Sequence, residues 1–574
     1  MGTFTITRAE YRAEQQNALR LKHLRNGFTL ADSRRFKDWN LSFYTRIGRQ
    51  NSAFYDRGEA GFIGVAGSMI FDGLTGKEAA AALFDSFDGI TVDWRRTHGG
   101  FTVIMQKFGR LFVFGDRLGL NKIYLDTAGN CVSNSFLSVL EQIGRCTPDP
   151  VGAHIYAWLS LIYGDRTFIS EIRPASPNSL IEPGKTLNIR QLSLPIDRSL
   201  ADWPLDEAQS AEFFLERLRK LFAIFARSFK GRVNCSLSGG YDSRFVMCLL
   251  LDAGIKPSLY VYGAPSDPDV IIAKELAAIA GQEIEWVHKE AASLPAMQEW
   301  PDQLDAVSFA LDGWTNGGII TQGISDLATR LSRSQDDQVL MLGTAGEIFR
   351  NFFYLPDRAI SLERFIRAMY CRFDPAAFGP DFSVGDYRAA LRDDVQSVTG
   401  VTSDRMDRRQ IEMIYPLLRA RYMFGRDMVI NQRFGWSFSP FLEPAIFEGA
   451  HNLPLKFKTL GNLESRMIRM LNPQLAACPS AYGHSFTEPT PIASKLRYYV
   501  QDHYRPLWLR EKSYRFQHRK PENLPAILQG GYLKSIIDPE YPFMRRLFNL
   551  ARVYDAGAMN RITTMEYLLQ KANG

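Results

Sequence analysis

Cysteine is scarce and scattered in this 574-residue chain. The six cysteines (Cys131, Cys146, Cys235, Cys248, Cys371 and Cys478) include no Cys-x-x-Cys pair. That argues against a thiolate zinc site and a disulfide framework, and fits a reducing, cytoplasmic setting. No apolar run reaches the ~18 residues needed to span a bilayer. The opening MGTFTITRAEYRAEQQ has no apolar core, so a secretory signal is not expected. Charge of one sign is also lacking: 68 Lys and Arg against 62 Asp and Glu leave a net of +6. So small an excess gives no case for nucleic acid, but it suits an anionic small molecule such as ATP. The Gly-x-x-x-x-Gly-Lys-Ser/Thr phosphate loop is missing, as are fixed-period repeats and low-complexity tracts.

What is present is ordinary for a globular protein, 45% apolar and 23% charged, over a length that implies two or three domains. Residues 1–55 are polar and basic, with Arg34, Arg35 and Arg46, and read as a helical or irregular leader. Residues 56–195 change character. Strand-like runs at 61–70, 101–105 and 111–114, with a helix at 78–87 between the first two, predict an α+β layered domain. Residues 190–210 carry Pro, Asp and Ser and read as a linker. From 205 to 574 a helix at 206–229, with Phe213, Leu215, Leu218, Leu221 and Phe222 on its apolar face, precedes a strand from Val233 that ends at Ser238 and strands at 257–263, 283–288 and 338–342. Strands alternating with helices predict a doubly wound parallel sheet. Helical periodicity dominates beyond about 360.

The most informative stretch is Val233-Asn-Cys-Ser-Leu-Ser238-Gly239-Gly240-Tyr-Asp242-Ser243-Arg244. It reads as a buried strand, a glycine turn and the start of a helix. Glycines let backbone approach a ligand closely. The free N–H groups at a helix start favour an anion. Ser238 and Ser243 add hydroxyl donors, and Asp242 can hold a divalent cation. The parts together make a pyrophosphate cradle; the plainer alternative is an ordinary strand-to-helix turn.

Ser-Gly-Gly-x-Asp-Ser resembles the pyrophosphate loop of the ATP-pyrophosphatase superfamily, which includes asparagine synthetases, β-lactam synthetases and lasso-peptide cyclases. Other segments are similar in family order. Gly99-Gly100-Phe101, Gly115-Asp-Arg-Leu-Gly-Leu120, Ile123-Tyr124, Ser133 to Leu137, Thr167-Phe168 and Pro183-Gly184 resemble the N-terminal glutaminase (Ntn-type) domain of asparagine synthetase B. Gly343-Thr-Ala-Gly346-Glu347 resembles the Gly-x-Gly-Gly-Asp-Glu loop, with Gly346 in the Asp position. Ser439-Pro-Phe-Leu-Glu443 resembles the Pro-Phe-Leu-Asp run, preceded by Arg419, Arg421 and Arg426 where the family has a basic segment. Leu453-Pro454-Leu-Lys456 resembles a helix end that follows.

The resemblance implies an asparagine-synthetase-like fold: an inactive glutaminase-like domain at 56–195 and an ATP-pyrophosphatase domain at 205–574 with added helices. The family's glutaminase needs an N-terminal cysteine, and here Gly2 follows Met1 and the first cysteine is Cys131. The implied activity is adenylation of a small-molecule, peptide or sugar carboxylate by ATP, with release of pyrophosphate. An amine or ammonia would then take the acyl group in natural-product or surface-polysaccharide biosynthesis, in a possible homodimer. The implied nucleotide contacts are Leu237, Ser238, Gly239, Gly240, Asp242, Ser243, Val261, Tyr262, Gly263, Leu342 and Gly343. Asp242 and Glu347 would bind Mg²⁺. The family's transition-state lysine falls near Ser465, which leaves Arg466 or Lys458 as substitutes, so the catalytic set is Asp242, Glu347 and Arg466. A nucleotide-binding pseudoenzyme is the alternative. Thiolation or hydrolysis of the adenylate is a further one, and the missing Cys-x-x-Cys disfavours thiolation. Asp267 is expected to cap a helix. His288 is expected in the core or at its rim. Arg505 to Lys520, basic and aromatic, suits an acidic substrate or a solvated helix face.

Overall fold

The computed structural model describes residues 2–46, 52–192, 205–288, 294–334, 338–488, 490–500, 507–517 and 522–574. Residues 193–204 of the expected linker lie outside these, as do the ends of the Arg505–Lys520 run.

The N-terminal leader is not a leader. Thr3–Arg8 is an inner strand of a six-stranded sheet, antiparallel to Trp39–Arg46 on one side and Cys131–Ser133 on the other. Its alternation is short but strict, and it buries Phe4 and Ile6 completely. The basic look of the region comes from Phe28–Phe36, the edge strand, whose alternate residues turn toward solvent. There Arg34 pairs with Asp32 and lies 4.6 Å from the Phe62 ring centroid. Charged side chains of this kind blunt a sheet edge.

A second six-stranded antiparallel sheet, running through Phe62–Gly67, Phe101–Lys107 and Arg110–Gly115, packs on the first. Phe4, Ile6 and Phe43 meet Phe62, Ile104 and Val113 between them. Helix Gly76–Ser86 contributes Leu83 and Phe84 to a cluster with Val103, Met105 and Phe112 of the second sheet. Helix Phe136–Ile143 covers the first sheet, placing Phe136 against Tyr124. The layers run helix, sheet, sheet, helix, in keeping with the layered α+β expectation.

The C-terminal unit is built on a five-stranded parallel sheet in the order Ile284–Val287, Ser258–Tyr262, Val233–Ser236, Val339–Met341, Trp436–Phe438. Strand order reverses between Val233–Ser236 and Val339–Met341. That is the switch point where a doubly wound sheet opens a crevice at its carboxyl ends. Four of these strands match the sequence reading.

Buried polar contacts join the units. Asp312, 1% exposed with φ 57°, accepts hydrogen bonds from the Ser135 hydroxyl at 2.5 Å and the Phe136 N–H at 3.1 Å, and pairs with Arg426 at 3.2 Å. Glu443 accepts from the Gly99 N–H at 2.9 Å and meets His98 at 3.1 Å. The Glu443 and Ser133–Leu137 motifs therefore work at the junction of the two units.

Candidate functional site

The Ser-Gly-Gly turn leaves the central strand at the switch point and enters helix Asp242–Asp252. The Leu237 N–H still bonds the neighbouring strand at the Tyr260 carbonyl, 2.9 Å away. Beyond it the chain leaves the sheet. The Ser238 N–H donates to the Ser243 hydroxyl at 3.0 Å, and the two serine oxygens lie 2.9 Å apart. Gly239 is packed so closely that a Cβ would lie 3.1 Å from both the Ala481 Cβ and the Ile272 Cδ1. Gly343 is likewise required, since a Cβ there would reach 2.9 Å from the Ser243 N. Gly343 thus abuts the helix start at Ser243, while the Leu342 N–H bonds the Phe438 carbonyl at 2.9 Å.

One turn donor is already engaged. The Gly239 N–H donates to Asp269 Oδ1 at 2.8 Å, which puts a protein carboxylate on a cradle expected to hold phosphate. Asp267 does not cap its helix with its side chain. It accepts from the Ala264 N–H at 2.7 Å instead. At the second strand end Val261 is buried, the Tyr262 hydroxyl accepts from Arg333 at 2.9 Å, and the Gly263 carbonyl accepts from the Trp286 indole at 3.0 Å. His288 is exposed and stacks on Trp286.

The electrostatic centre is Arg350, which the sequence reading did not single out. Both Asp242 oxygens accept from one guanidinium nitrogen of Arg350 at 2.8 Å. Glu347 lies 3.7 Å and Glu464 3.6 Å from the same group. Arg350 also donates to the Tyr482 hydroxyl at 3.2 Å. Burial raises the Asp242 carboxyl to about 6 against the pull of Arg350. Glu464, fully buried, is pushed well above the ordinary carboxylate range by burial and by Asp242. Burial and their mutual repulsion thus favour a proton on this pair of carboxyls, and Arg350 opposes it at Asp242. Tyr415 donates to Glu347 at 2.5 Å, and burial with that neighbour keeps its proton on. A cavity of about 560 Å³ opens beside this cluster, with Tyr241, Arg350, Lys458, Tyr482 and Arg497 in its walls.

Two expected assignments meet other partners. Asp242 and Glu347, expected on Mg²⁺, do not face each other freely: Arg350 sits among Asp242, Glu347 and Glu464. Nor is there room for a further carboxylate: a Cβ on Gly346 would fall 2.4 Å from Asp242 Oδ1. Among the described residues no group of three or more His, Cys, Asp and Glu side chains is placed to hold a metal ion. Arg466 is the second correction. It faces Glu207 at 4.0 Å. Helix Asn462–Leu471 turns Glu464 into the cluster, and two residues further on, about 200° around the axis, it turns Arg466 away. Lys458, 1% exposed, is ion-paired with Glu412, which Arg408 also pairs.

The glycine turn, the helix start and the cationic cavity wall suit a phosphate chain, although Asp269 must release the Gly239 N–H.

No family model matches the chain, and no curated protein matches it. Among solved structures it is similar to a glutamine phosphoribosylpyrophosphate amidotransferase from B. subtilis complexed with ADP and GMP. The identity is 10% and the TM-score 0.23, over 60% of this chain and 81% of that one. A likeness that weak carries no argument about this chain's activity.

Proposed function

We propose that the chain binds ATP at the Ser238–Gly240 turn and uses it to activate a carboxylate for amide formation. The observation that supports this is the placement of the turn. It sits at the switch point of a parallel sheet, leads into a helix start, and lies beside a cavity walled by Arg350, Lys458 and Arg497. Handing AMP to an acid builds charge on the departing pyrophosphate, which must be met by fixed cations. In this reading Arg350 supplies that charge. The acyl group then passes to ammonia or to a substrate amine.

A second reading is favoured by the two internal contacts at the turn. Asp269 on the Gly239 N–H and Arg350 on Asp242 also describe a site that binds nucleotide without turning it over, in a regulatory role. ATP–pyrophosphate exchange across a panel of carboxylic acids separates the two. Acid-dependent exchange supports the ligase. ATP binding with no exchange for any acid supports the regulator, and no ATP binding removes both.

A further inference from the structure

A second cavity, about 610 Å³, shares Phe352 and Tyr354 with the first. Its walls are of two kinds. Trp158, Tyr163, Phe353 and Tyr370 give flat aromatic surfaces, and Arg419 gives a cation. Arg419 comes from Tyr415–Ala420, a π-helical turn. Such turns insert an extra residue and re-aim side chains, often at functional sites. This one sends Tyr415 to Glu347 in the first site and Arg419 to the second cavity.

Arg419 is poised for an anion. Its guanidinium lies 5.5 Å from the Phe352 ring centroid, and no carboxylate pairs with it among the described residues. Nearby, the hydroxyls of Tyr163 and Tyr370 are buried beside one another and beside Arg419, in no hydrogen bond of good geometry. Leaving such groups unsatisfied costs about 1–3 kcal/mol each, and folded proteins rarely tolerate it without a ligand or water. Aromatic walls accept the faces of rings, and an unpaired guanidinium selects a carboxylate, which it binds in a two-pronged fashion.

We propose that this cavity binds a carboxylate carried on a ring, a sugar acid or an aromatic acid, with Arg419 on the carboxylate and the aromatic walls on the ring. That this acid is the one activated rests on the ATP reading above; its binding does not.

Calorimetric titration of the full chain without nucleotide tests the proposal, with D-glucuronate and 4-hydroxybenzoate as probes and glucose as the uncharged comparison. At least one acid binds and glucose does not, and the acid that binds shows which ring source the walls prefer. Arg419→Gln weakens the binding tenfold or more, as loss of a charge-assisted pair requires. Tyr163→Phe, which removes only a hydroxyl, weakens it severalfold and guards against a misfolded arginine variant. Binding of neither acid, or unchanged affinity in both variants, overturns the proposal. No nucleotide is present, so that failure leaves the ATP reading standing, and a failure of ATP binding leaves this site standing.

Discussion

Removing Arg350 strikes the charge cluster directly. Its side chain is 17% exposed, that of Asp242 is 19% exposed, and Glu464 is fully buried. With Arg350 present, the Asp242 carboxyl already rises to about 6. Against an ordinary value near 4, that is about two pH units at roughly 1.4 kcal/mol each, or about 3 kcal/mol of cost to the fold. The sign follows from proton binding. A carboxyl raised in the folded state binds its proton more tightly there, so the cost is absent below about pH 4, grows toward pH 6 and is complete above it. Arg350→Ala removes the largest attraction opposing burial, pushing Asp242 higher still. Stripping one partner from a buried pair costs about 3–5 kcal/mol. The urea midpoint of Arg350→Ala should therefore fall well below wild type at pH 8 and approach it at pH 5, below the value to which Asp242 is raised. Equal midpoints at pH 8, or a deficit that does not change with pH, would refute the cluster as described.

Other perturbations read out neighbouring parts. Asp269→Ala frees the Gly239 N–H and removes a like charge, so ATP affinity by calorimetry should rise about tenfold, the equivalent of one charged hydrogen bond. Asp312→Ala leaves Arg426 and the Ser135–Phe136 donors without their acceptor. It should destabilise by about 3–5 kcal/mol in a thermal melt, with Asp312→Asn losing less. Burial lowers the His98 pKa, but the Glu443 contact outweighs it and the net shift is upward. A raised histidine stabilises the fold below about pH 6.5 and loses that contribution as pH climbs through its folded value. Glu443→Gln should therefore lower the urea midpoint more at pH 5.5 than at pH 8.5.

The parallel sheet was legible because its strands are short apolar runs punctuated by glycine, and the turn at Ser238–Gly240 announces itself by residue type. Trp436–Phe438 was missed because three residues carry no periodicity. The leader was misread because its first strand buries threonines (Thr3, Thr5 and Thr7) as well as apolar residues, and an edge strand armed with arginine looks polar by composition. At the site, sequence identified Asp242, Glu347 and the glycines. Arg350 escaped although it stands three residues after Glu347, the spacing that places two side chains on one helical face. Glu464 reaches the cluster, and Asp269 the glycine turn, through tertiary packing from distant helices, which local pattern does not encode. Arg466 was chosen by position along the chain rather than by helical phase.

The central claim is that the glycine turn grips the phosphates of a nucleotide. Gly240 gives the cleanest test, because a Cβ there meets nothing nearer than the Ser238 hydroxyl at 3.6 Å, so Gly240→Ala should fold normally while placing a methyl where phosphate would approach. Calorimetry with ATP and magnesium should show one site in wild type and at least tenfold weaker binding in Gly240→Ala. No heat in wild type, or the same affinity in both proteins, would contradict it.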